Sequence, residues 1–228
     1  MEPGATRRNC SACGTPCRPT FHAPPPELAP DLDFRPGEPT RSTLKHWLAT
    51  CRGCGATAPD LAALPRGARE TAATPEYRAL AGPARAFLRW AMLHEAAGEP
   101  AEAAEAMLQA AWATDDVGGD AAPFRRRAAA LWGEPSMTQD ALRLIDVLRR
   151  AGAADAAAQR ISALLAKPGL DETDAALLRF QQGLVAAGDT GRHLLSSALR
   201  PPARTPHVSH GQRLRGPSRS LWQRLVGR

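Results

Sequence analysis

Residues 82–116, GPARAFLRWAMLHEAAGEPAEAAEAMLQAAWATDD, are the stretch on which the fold turns. Apolar residues recur at helical spacing on both sides of Gly98-Glu99-Pro100. Phe87, Trp90, Ala91 and His94 share one face of a first helix. Ala103, Met107, Ala110 and Thr114 share a face of a second. Gly98 suits a turn and Pro100 suits the first position of the following helix, so the stretch reads as an antiparallel pair. Small residues at Ala91 and Ala103 would let the two axes approach closely.

The same unit returns downstream in weaker form. In 141–169, ALRLIDVLRRAGAADAAAQRISALLAKPG, Gly152 takes the place of Gly98, Ala157 that of Ala103, and Ile161 and Leu164 those of Met107 and Ala110. A third copy over 177–200 turns at Gly188 but carries His193 at the small position, which marks it as degenerate or as a cap. Between the first two lies APFRRRAAALWGEP (122–135), read as one more helix ending at Gly133. On such a helix Arg125, Arg126 and Arg127 spread over most of a turn, and a solvated face outweighs a phosphate clamp.

Upstream the composition changes, and four of the five cysteines fall into two Cys-x-x-Cys-Gly units: Cys10, Cys13, Gly14 and Cys51, Cys54, Gly55. That spacing makes a tight turn whose amides point at thiolate sulfurs, and two such turns facing each other close a tetrahedral site suited to Zn²⁺. A thioredoxin-like redox pair is disfavoured, because neither unit sits between a strand and a helix. With no open coordination position in this set, the zinc is expected to be structural rather than catalytic. Its binding would also supply folding energy, about 10–16 kcal/mol for structural sites, to a segment with little apolar surface. Cys17 has no following Gly and reads as a free thiol beside the site, with replacement of Cys10 or Cys13 as the alternative; His22 and His46 are further alternative ligands.

The 37 residues between Cys13 and Cys51 exceed ordinary ribbon spacing, so the Pro-rich stretch 18–43 is expected to loop out and dress the surface of the turns. TLKHWLATC (43–51) is expected to form a short strand, with Trp47 covering one side of the site; the alternative, a helical reading of Leu44 and Leu48, would have to stop abruptly before the turn. The organisation expected is therefore a zinc-ribbon-like module over 1–66, a helical domain over 67–199 and a basic, disordered tail over 200–228.

Charge and targeting signals narrow the function. The formal net charge of +6 resides in that tail: its seven arginines and lack of acids leave residues 1–199 at −1. Nucleic-acid contact through the tail is thus one reading; its end, SLWQRLVGR, could dock on a partner, on anionic lipid or on RNA, but a frayed end outweighs these. No secretory signal or membrane span is evident, which points to a cytoplasmic, reducing location. His94-Glu95 lacks the second histidine of a zinc-protease motif, and neither a Gly-rich phosphate loop nor a nucleophile turn occurs.

Two CxxCG units bracketing a Pro-rich stretch, with HWLATCRGCG at the second and repeat-like helices after it, resemble a family of uncharacterised bacterial zinc-ribbon proteins with tetratricopeptide (TPR)-like helices. The resemblance implies a mainly α fold preceded by a small β zinc ribbon, and Cys10, Cys13, Cys51 and Cys54 as ligands of one Zn²⁺. It brings no activity with it. A TPR-like groove would present Arg85, Met92 and Glu95, then Gln139, Leu142, Asp146 and Arg149, to a peptide. The function expected is a non-enzymatic zinc-binding adaptor that takes a protein partner through its helices, with a nucleic-acid-associated ribbon protein as the rival and a thiol or metal sensor using Cys17 as a third reading.

Overall fold

A computed structural model describes residues 8–199; the expected tail over 200–228 lies outside them, as do residues 1–7. The chain is mainly helical, with two small antiparallel hairpins at its start. The first pairs β1 (Arg8–Asn9) with β2 (Pro16–Cys17), and the second pairs β3 (Ala49–Thr50) with β4 (Thr57–Ala58). The helices follow in order: α1 (Ala68–Ala73), α2 (Pro75–Ala79), α3 (Arg85–Ala97), α4 (Pro100–Asp115), α5 (Ala122–Trp132), α6 (Thr138–Arg150), α7 (Ala154–Leu165) and α8 (Glu172–Ala186). Each helix from α3 to α8 packs on the next, and α8 also reaches α6.

The α3–α4 pair turns where the sequence places it. Gly98 adopts φ 78° and caps α3, and the ring of Pro100 occupies the first turn of α4, where a missing amide proton costs nothing. Ala91 and Ala103 are completely buried, as close approach of two axes requires. Gly152 ends the α6 hairpin in the same left-handed conformation and Ala157 is completely buried. The intervening helix α5 stops at Gly133. The third unit does not close into a pair: after α8 the chain turns at Gly188 and runs to a single 3₁₀ turn at Leu195–Ser197.

Two expectations for the N-terminal segment require correction. Residues Arg41–His46 form a 3₁₀ helix in place of the expected strand, and the strand is only Ala49–Thr50. Leu44 buries against Phe87 and Trp112, a helical-spacing contact that outweighs the extended reading. Trp47 goes with it, standing edge-on to Trp112 at 6.5 Å and donating from Nε1 to Thr43 Oγ1 at 2.9 Å, so it packs on the helices rather than over the cysteines.

The Pro-rich stretch, moreover, does not merely dress the turns. It forms a strap laid across the helices. Asp31, Leu32, Asp33 and Arg35 are almost completely buried. Leu32 enters the core of α6, α7 and α8, its amide donates to His193 O, and Leu195 N donates to Pro30 O. Asp33 accepts from Trp112 Nε1 (3.0 Å) and Arg150 NH1 (2.8 Å), with Arg125 NH2 at 3.6 Å. Asp31 accepts from Arg41 (2.9 Å) and from Arg192 (2.8 Å). Charges taken out of water need opposite charges and hydrogen bonds in place, and here the strap's acids meet the helices' guanidiniums. Arg125, expected on a solvated face, is buried for that reason: it clasps Asp115 with both terminal nitrogens, while Arg127 pairs with Glu95 and Arg126 donates to Ala151 O.

Candidate metal centre

The two cysteine turns share one backbone plan. Cys10 N donates to Thr15 O (2.9 Å) and Gly14 N to Cys10 O (2.8 Å); in the second turn Cys51 N donates to Ala56 O (2.8 Å) and Gly55 N to Cys51 O (2.9 Å). Gly14 and Gly55 have φ of 74° and 79°, a conformation in which a β-carbon is strained, so glycine follows the second cysteine in each unit. The flanking strands β1–β2 and β3–β4 hold the mouths of the turns.

The turns meet. All four sulfurs of Cys10, Cys13, Cys51 and Cys54 lie within 4.8 Å of one another. Cys10 Sγ is 3.8 Å from Cys54 Sγ and Cys13 Sγ is 3.6 Å from Cys51 Sγ, so each close contact joins one turn to the other. These separations are far beyond a disulfide bond of about 2.05 Å. They match the edge of a tetrahedron of thiolates around Zn²⁺, about 3.8 Å for Zn–S bonds of about 2.3 Å.

The thiol electrostatics fit the same ion. Burial, reinforced by the neighbouring thiols, raises Cys10, and raises Cys54 to about 12. Hydrogen bonding to the Thr15 hydroxyl, 3.2 Å away, and to the Thr15 backbone lowers Cys13 to about 6. Four sulfurs so close together, two of them buried, cannot carry four negative charges unaided, and a divalent cation at their centre would supply the missing compensation. The donor set, its spacing and its burial therefore fit a metal, and the all-sulfur chemistry favours zinc.

The other sequence candidates fall elsewhere. Cys17 is partly buried beside the cluster and outside the four-sulfur set. His22 and His46 are exposed and also outside it. Of the residues assigned to an outward groove, Arg85 and Gln139 are exposed, and Met92 and Glu95 are half-buried, Glu95 in its pair with Arg127. Leu142, Asp146 and Arg149 are buried instead. Leu142 belongs to the core, and Arg149 binds Asp146 Oδ1 (2.6 Å) and the carbonyl oxygens of Asp189 and Gly191, tying the chain after α8 to α6. The chain after α8 thus lies over the Arg149 end of that face.

The residues that cover the sulfurs were not visible in the motif. Trp90, on α3, packs against the cysteine cluster and against the neighbouring cluster around Tyr77, whose hydroxyl donates to Gly55 O at 3.3 Å. Ser11 Oγ accepts from Leu64 N (3.1 Å), and Arg8 pairs with Asp60 at 2.7 Å, fastening the first turn to the segment after the second. The face signal that placed Trp90 on the inner side of α3 was present; its neighbour was not. No helix among the described residues is long and apolar enough to cross a membrane. Comparison of the chain with protein-family profiles, with curated proteins and with solved structures finds no match.

Proposed function

We propose that this chain is a non-enzymatic, cytoplasmic adaptor in which one structural Zn²⁺, held by Cys10, Cys13, Cys51 and Cys54, locks the N-terminal hairpins onto a TPR-like helical array that binds a protein partner. The closed four-sulfur cluster supports this reading, since all four positions of a tetrahedral ion are taken by protein and none is left for water or substrate. The array offers Arg85 and Gln139 on its exposed surface, with Met92 and Glu95 at its margin.

Elemental analysis of the purified chain tests the metal: one zinc per chain, lost on changing any of Cys10, Cys13, Cys51 or Cys54 to Ser, is the expected result. A photo-crosslinking residue at Arg85 or Gln139 of the full chain tests the adaptor role. A saturable adduct with one protein, competed by the unlabelled chain, supports it; labelling that never saturates counts against it.

A further inference from the structure

Beside the zinc hairpins opens a cleft of about 920 Å³ whose walls come from the end of β2, the start of the strap, the 3₁₀ helix and the second cysteine turn. Arg18, Lys45 and Arg52 line it and are exposed. No Asp or Glu lines it among the described residues, and none of these three cations has an ion pair or a side-chain hydrogen bond there. Ten arginines of the described residues, among them Arg35, Arg125, Arg143 and Arg150, hold a carboxylate within 4.0 Å, while others outside the cleft, such as Arg66, Arg69 and Arg179, hold none; what sets the cleft apart is that three such cations share one concave wall. The cleft therefore gathers three cations without a carboxylate partner in walls that carry no acid.

The same cleft carries aromatic faces. Phe21 is 40% exposed although it is a large apolar ring, and it rests against the exposed His46 with centroids 5.7 Å apart at 45°. Trp47 forms part of the wall, standing edge-on to Trp112 and donating from Nε1 to Thr43 Oγ1. Unpaired cations that follow a groove, interleaved with exposed rings, are the combination that seats phosphates and stacks bases.

We propose that this cleft binds single-stranded nucleic acid, with Arg18, Lys45 and Arg52 on successive phosphates and a base stacked on the Phe21–His46 platform. A duplex hides its base faces and could use only the charges. An acidic peptide would leave the aromatic platform idle. The contact lies on the body of the protein and is separate from the arginine-rich tail.

Fluorescence anisotropy of a labelled 12-nucleotide oligouridylate with the full, zinc-loaded chain provides the test. Each phosphate contact on a single strand contributes about −0.7 to the slope of log K against log salt, so Arg18→Ala/Lys45→Ala/Arg52→Ala is expected to flatten that slope by about 2. Phe21→Ala is expected to weaken binding at least about fivefold with the slope unchanged, because stacking carries no counterion release. The single change Arg52→Ala should flatten the slope by about 0.7, and zinc content reports that each variant is folded. Absence of binding overturns the proposal. So does binding whose slope survives the triple change, which would place the contact elsewhere. Equal affinity for duplex with no dependence on Phe21, or displacement by polyglutamate as effective as by unlabelled oligouridylate, also overturns it.

Discussion

At Gly53 a single methyl group would collide with the metal centre. A β-carbon built there lies 2.1 Å from Thr15 Oγ1 and 3.2 Å from Cys13 Sγ, so the second turn can face the first only if this position is bare. Gly53→Ala is expected to lower zinc affinity about 10–100-fold, as loss of an outer-shell contact does, measured by competition with a chromogenic chelator. Cys17→Ser, by contrast, should leave the zinc content unchanged, since its sulfur lies outside the four. The four-cysteine cluster was legible because a turn that points sulfurs inward has a local signature, two residues between the cysteines and Gly after the second. Gly53 and Thr15 were not, because their importance arises only where two turns distant in the chain touch.

At the scale of elements, the helix pairs that turn at Gly98 and Gly152 were readable, since left-handed glycines and buried alanines leave a periodic trace. The strap was not. Its partners stand 79, 117 and 161 residues away for Asp33–Trp112, Asp33–Arg150 and Asp31–Arg192, and pairing of charges at such separations leaves no periodicity. Prolines and acids in one stretch read as solvent-facing until the guanidiniums they meet are seen. Asp33→Ala is expected to cost about 3 kcal/mol in chemical denaturation, because it removes one of the two acids, Asp33 and Asp115, that serve Arg150 and Arg125 and leaves the indole N–H of Trp112 without its acceptor. Asp115 gives the pH dependence. Desolvation would raise its carboxyl, but hydrogen bonding and charge from Arg125 and Arg150 outweigh that and hold it below the usual range. A folded value below the unfolded one means that the stabilisation is complete above about pH 4 and is lost as pH falls through the depressed value. Asp115→Asn should therefore flatten the acid limb of the stability curve followed by circular dichroism.

Across the whole molecule, the four-cysteine cluster, with the zinc proposed for it, and the strap tie down the N-terminal segment at separate places. The sulfurs join the two hairpins, and the buried acids join the intervening chain to α4, α6 and the segment after α8. Chelation is thus expected to change tryptophan fluorescence through Trp90 while most of the helical circular dichroism remains. The thermal midpoint should fall by about 2–4 °C for each kcal/mol that the metal supplied. A collapse of the helical signal together with the metal would show the two attachments to be one.

The strap's acids also decide where this chain can be divided. Cutting ahead of α1 would look harmless on a diagram of elements, yet it would remove Asp31 and Asp33 and leave Arg125 and Arg150 with Asp115 as their one remaining acid, and the indole of Trp112 beside a vacated channel. The amputated helices would contain a cationic hollow that must either flood or splay apart, so the first third is a keel of the structure and not a detachable appendage.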